Sequence, residues 1–107
     1  MCNLYSLTTN RVAIIRLFRV AENRAEAVLS KDAIFPVHTA PIVRHAPDGE
    51  RELVNLSWGF VLPQKDKAPR RVTNTRDDKV QSSSFWKDSF ENRRCLVPVT
   101  SFAEPRE

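Results

Sequence analysis

The sequence predicts an α+β domain, mostly antiparallel strands with an early helix. Two observations carry this. Val12, Ile15 and Phe18 recur at helical spacing, and a Pro47-Asp48-Gly49-Glu50 turn separates two runs of strand composition, Ala40 to Arg44 and Arg51 to Trp58. An Asp-Gly pair between such runs is a hairpin signal, because glycine and aspartate tolerate the backbone a tight turn needs. With 7 Pro against 2 Gly, proline supplies most of the remaining punctuation.

Taken in order, Thr8 or Thr9 is placed to cap a helix running to about Phe18, with Arg11, Arg16 and Arg19 towards solvent. Residues 21–32 read as a helical turn or loop leading to Ile34-Phe35-Pro36. In the second hairpin strand Val54, Leu56 and Trp58 share one face, and Leu53, Asn55 and Ser57 the other. Gln64 to Arg71 reads as a polar, basic connection broken by Pro63 and Pro69, and Val72 to Thr75 as extended. Ser82-Ser83-Ser84 precede a short serine-capped helix over Phe85 to Phe90. Cys95 to Val99 reads as a buried strand, followed by Thr100 to Glu104, and the chain stops at Glu107 directly after strand-like sequence.

A chain of 107 residues accommodates one domain, here 1–107. Its composition, 41% hydrophobic and 28% charged, is globular rather than disordered. No apolar run approaches the roughly 18 residues of a spanning helix, and MCNLYSLTTN lacks the pattern of a signal peptide. A cytoplasmic location is therefore expected. The net charge of +4 favours polyanionic partners. The 2 Cys are too few for a disulfide framework and suit a reducing compartment.

Cys2 carries the sharpest chemistry. Aminopeptidases remove Met1 ahead of a small second residue, which leaves a thiol and a free α-amine on one residue. Their ordinary pKa values, about 8.5 and 7.7–8.0, keep both nucleophiles available near neutral pH. A 1,2-aminothiol condenses with an aldehyde through an imine that the thiolate closes into a thiazolidine. Taken alone, a cysteine at position 2 is more often incidental than nucleophilic.

Cys95 reads as a small core residue. His38 and His45 stand apart, and no Cys or His pair has zinc-ligand spacing, so no metal or cofactor is expected. Lys65, Lys67, Arg70, Arg71 and Arg76 form a basic segment that reads as a solvated loop. With Trp58 and Phe60 upstream, it reads equally as a surface that holds a single strand by charge and stacking. Asn74 and Glu104 border strand-like runs; partial burial beside Phe102-Ala103 would raise the Glu104 pKa and suit it to acid–base work.

These residues fall into blocks: Met1-Cys2-Asn3-Leu4-Tyr5-Ser6, Phe35-Pro36, Ala40-Pro41, Trp58-Gly59-Phe60, Thr73-Asn74-Thr75-Arg76, Arg94-Cys95-Leu96-Val97-Pro98 and Ser101-Phe102-Ala103-Glu104. In this order, with cysteine at position 2, they resemble the SOS-response-associated peptidase family, also called abasic-site processing proteins. The resemblance implies a curved, barrel-like sheet with flanking helices, here incomplete, in a monomer. It implies recognition of abasic sites in single-stranded DNA, with nucleoid association when bound, and a covalent thiazolidine cross-link that shields the lesion. Cys2 would be the nucleophile, Asn74 would position it and the sugar, and Glu104 would shuttle protons. Arg76 would contact phosphate, with Arg70 and Arg71 beside it, and Trp58 and Pro41 would line the DNA surface. The peptidase label would refer to self-removal of residues before the cysteine. Asn3 stands where the family has glycine, Thr75 replaces its alanine, and Pro105 follows Glu104 in place of an aromatic. Members are longer, and nothing here matches the histidine of their second half. Two alternatives follow, a non-catalytic single-strand-binding module and an inactive shortened member.

Overall fold

The computed structural model describes residues 2–25 and 31–103. Strand β1 (Leu4–Leu7) alternates, with Tyr5 and Leu7 buried, and it occupies the centre of a three-stranded sheet. Its neighbours, both antiparallel, are β3 (Lys31–Ile34) and β8 (Ser101–Ala103). Strand β4 (Thr39–His45) and strand β5 (Arg51–Ser57) form the expected hairpin, with Val43 opposite Leu53 and Ala40 opposite Leu56. Gly49 takes φ +87° in its turn, and the Ala46 carbonyl accepts from the Gly49 N–H at 2.8 Å. A two-residue strand, β2 (Glu22–Asn23), runs parallel to β5 and completes the second sheet.

Between β1 and β2 lies helix α1 (Arg11–Leu17). Its cap is Asn10, not Thr8 or Thr9: the Asn10 side-chain oxygen accepts from the Ala13 N–H at 2.9 Å. Thr8 is engaged elsewhere, bonded through its N–H and hydroxyl to the Thr100 hydroxyl at 3.0 and 3.3 Å. The buried face centres on Ile14, with Ile15 and Phe18 leaning on the core, while Val12 is 62% exposed. Arg11, Arg16 and Arg19 face solvent as expected.

The core joins both sheets to the helix through Tyr5, Leu7, Ile14, Ile34, Val43 and Leu53. Glu52, buried on β5, cross-links the second sheet. Its carboxylate accepts from Arg44 on β4 at 2.8 Å and from Arg24, just beyond β2. These hydrogen bonds, Arg44 foremost, hold its carboxyl below the ordinary value.

Five further sequence expectations change. Strands β2 and β3 take up the two ends of the stretch expected to be a helical turn or loop, whose residues 26–30 lie outside the described residues. Both are short: β2 is two polar residues held by backbone pairing, with the Arg24 N–H just beyond it donating to the Leu53 carbonyl at 2.8 Å, and β3 sends Ile34 into the core. The supposed basic connection is a hairpin, β6 (Phe60–Gln64) and β7 (Lys67–Val72), turning at Asp66 with φ +61°. A two-stranded ribbon leaves each strand an open edge, where prolines such as Pro63 and Pro69 are tolerated. Helix α2 (Asp77–Val80) was not anticipated. Helix α3 (Lys87–Asn92) begins later than expected, behind Trp86, and the serine acts one step earlier, the Ser83 hydroxyl accepting from the Phe85 N–H at 3.3 Å. Finally, Cys95 to Val99 is not a buried strand. It touches β4 at a single bridge, Leu96 to Val43, and Leu96, Val97 and Val99 are exposed. Pro98 has no N–H to extend that ladder.

The class is thus α+β with mostly antiparallel pairing, but the described strands form three small sheets and close no barrel.

Candidate active site

Cys2 enters the centre of the first sheet from the start of β1, and Asn74, just after β7, clasps it. The Cys2 N–H donates to the Asn74 side-chain oxygen at 3.0 Å, and the Asn74 amide donates back to the Cys2 carbonyl at 3.1 Å. One side chain thereby mimics a neighbouring strand and fixes the main chain that carries the thiol. The thiol itself contacts the Leu4 carbonyl at 3.8 Å. Asn74 is in turn held by Thr73, whose hydroxyl oxygen accepts from its amide at 2.9 Å.

The Cys2 side chain opens into a cavity of about 530 Å³. Its wall is largely apolar, built from Tyr5, Ile42, Leu56, Trp58, Phe60 and Phe102. Trp58 meets Tyr5 edge-on, ring centroids 5.3 Å apart, and Phe60 lies tilted against Trp86, centroids 4.7 Å apart. Gly59 takes φ +112° between these aromatics, where a Cβ would lie 2.6 Å from the Arg71 side chain. Arg71 therefore folds over the glycine and donates to its carbonyl at 3.1 Å.

Sequence reasoning passed over several of these groups. Cys95 was expected in the core; instead it lines the same cavity as Cys2, and its surface is open. The protein around it nevertheless pushes its thiol pKa up, against a smaller pull from Arg44. Burial also raises the Tyr5 pKa, with Cys2 and Cys95 adding to the effect, so both sulfurs act on one hydroxyl. Nothing in the local sequence separates such a cysteine from a core residue. Phe60 was read as a stacking aromatic beside the basic segment and Phe102 as an apolar neighbour of Glu104; folding brings both to the cavity beside Cys2.

The other expected site residues disperse. Arg70 is exposed on β7 opposite Leu62, and Arg76 is exposed with one loose pairing to Asp78 at 3.5 Å. Pro41 is buried in β4 opposite Asn55 and does not line the cavity. Glu104 lies outside the described residues. Among the described residues, no group of three or more His, Cys, Asp or Glu is arranged to hold a metal ion.

A family model described as SOS response associated peptidase (SRAP) matches residues 1–107. The chain belongs to the SOS response associated peptidase family. This membership links the SRAP chain to the response to DNA damage. Searches of curated proteins and of solved structures gave no match. No described helix of this SRAP chain is long and apolar enough to cross a membrane.

Proposed function

We propose that this SRAP chain captures abasic sites in single-stranded DNA as a covalent thiazolidine on Cys2, after self-removal of Met1. The observation that carries the reading is the two-point grip of Asn74 on Cys2, at 3.0 and 3.1 Å, at the edge of an aromatic-walled cavity.

With Met1 gone, the Cys2 nitrogen is an amine, and Asn74 directs it. The amine attacks the aldehyde carbon of the ring-opened sugar, and the carbonyl oxygen leaves as water, giving an imine. The thiolate then adds to the imine carbon, and the nitrogen takes up a proton. The new ring contains the sulfur, Cβ, Cα, the nitrogen and the former aldehyde carbon. Holding amine and thiol on one fixed residue makes the second step intramolecular, where effective concentrations are high. Glu104 serves as the proton shuttle for ring opening and water loss. Trp58 supplies a stacking face for a neighbouring base. Arg70, Arg71 and Arg76 contact backbone phosphates, for which the guanidinium fork is suited, and Pro41 stiffens the strand behind that surface. The protein acts as a monomer in the cytoplasm and joins the nucleoid when bound.

The test is a denaturing gel of the processed chain with single-stranded DNA carrying one abasic site. A shifted band that requires both Cys2 and the lesion, absent with Cys2→Ala and with intact DNA, supports the cross-link. Salt-sensitive binding that ignores Cys2 would replace it with the non-catalytic module, a reading favoured by the exposed basic ribbon β6–β7.

A further inference from the structure

We infer that Asn3 and Thr73 are positioning residues for Cys2, because together they lock the Asn74 amide in the one orientation that the Cys2 backbone accepts. The inference rests on the proposed role of Cys2. Asn74 could present either its oxygen or its NH2 group to the Cys2 nitrogen, and only the oxygen can accept from that nitrogen. Flipped, the amide would set donor against donor at Cys2 N and acceptor against acceptor at the Cys2 carbonyl.

The neighbouring side chains reinforce that choice. The Thr73 hydroxyl donates its one proton to the Asn3 side-chain oxygen at 3.3 Å. Its lone pair is then left for the Asn74 NH2 group, which donates at 2.9 Å. The Asn3 oxygen, 3.4 Å from the same NH2 group, shares the proton that Thr73 accepts, the second proton being held by the Cys2 carbonyl. An acceptor-only oxygen on Asn3 thus orients a hydroxyl proton, the hydroxyl orients an amide, and the amide orients the nucleophile. No member of this relay touches the reacting carbon. Asn3 occupies a position where the family usually has glycine, so the device belongs to this chain's own residues.

The test compares Thr73→Val, Thr73→Ser and Asn3→Ala with the unaltered chain, all processed to Cys2. Single-turnover cross-linking is followed across a range of abasic oligonucleotide concentrations, with melting curves as a check on folding. The expected result is a limiting rate lowered about tenfold in Thr73→Val and about threefold in Asn3→Ala, the range of one to two ordinary hydrogen bonds. The half-saturating concentration and final yield stay unchanged, and Thr73→Ser recovers the rate to within about twofold. A Thr73→Val rate equal to that of the unaltered chain, or a Thr73→Ser rate as low as that of Thr73→Val, overturns the relay. The second readout needs no DNA: the Asn74 side-chain amide protons, followed by NMR, should lose their slow exchange in Thr73→Val and keep it in Thr73→Ser. If the unaltered chain forms no cross-link, the proposed function fails. The relay is then judged on the NMR signals alone, and amide signals indifferent to Thr73 and Asn3 reject it.

Discussion

Asn74 touches Cys2 through both ends of its amide, so its loss should damage alignment more than folding. Asn74→Ala is expected to slow cross-linking by about 10- to 100-fold, as for a lost hydrogen bond to a reacting group. The rate at saturating DNA measures this, with the melting temperature as control. Glu52 sets a different kind of expectation. Its folded pKa lies below the ordinary value of 4.5, so the stability it contributes is present above that value. It is lost as pH falls through the lower folded value. The melting temperature should therefore drop as solutions are acidified below about pH 4.5, and Glu52→Gln should show a shallower drop from a lower starting point. At this scale the sequence was informative where chemistry is local. Cys2 and Asn74 stood out by residue type and block, and folding put them in contact. Trp58 and Phe60 stood out as aromatics, but their place with Tyr5, Phe102 and Cys95 around one cavity did not, since it comes from neighbours distant in the chain.

Among the elements, turns hold the clearest strain. Val37 follows Pro36 with φ +78°, and the His38 N–H bonds back to the Phe35 carbonyl at 3.1 Å. That geometry matches a type II turn, whose third position favours glycine or asparagine over a β-branched residue. Val37 is 57% exposed, so little packing is at stake. Val37→Asn should relieve about 1 kcal/mol and raise the melting temperature by about 4–8 °C in a domain of this size. Gly59 predicts the opposite. In Gly59→Ala the new methyl would displace Arg71 and occupy a strained backbone, costing about 1–3 kcal/mol, again visible in the melt. The ribbon β6–β7 shows why elements were only partly legible. The β4–β5 hairpin declared itself through Asp-Gly and an apolar pattern, whereas β6–β7 turns on Asp66 between charged residues and has no core face to pattern. If the ribbon meets DNA, Arg70→Ala should lower the slope of log affinity against log salt by about 0.7, the value for one phosphate on a single strand.

Across the whole molecule, the radius of gyration is 15.0 Å, against about 13 Å for a compact domain of this length. Two of the three small sheets share one modest core, the ribbon β6–β7 stands outside it, and a run of large apolar residues, Leu96, Val97, Val99 and Phe102, remains exposed. Such a surface should bind an environment-sensitive dye in native buffer. Phe102→Ser should dim that signal while leaving stability within about 0.5 kcal/mol, because Phe102 is 64% exposed. The antiparallel α+β class was legible in the hairpin and the early helix. The division into separate sheets was not, because it follows from which strands find partners, and the two-residue strand β2 carries no apolar signature.

The contact between Cys2 and Asn74 has a practical consequence. An amide nitrogen and an amine nitrogen both donate to the Asn74 oxygen, so the fold does not distinguish a processed amino terminus from a blocked one. Wherever residues ahead of Cys2 are retained, a purification tag included, the protein would therefore melt, scatter and bind like the authentic product while holding no amine to react. Material for chemical assays should carry its handle at the other end, and its mass should be checked before any negative result is read.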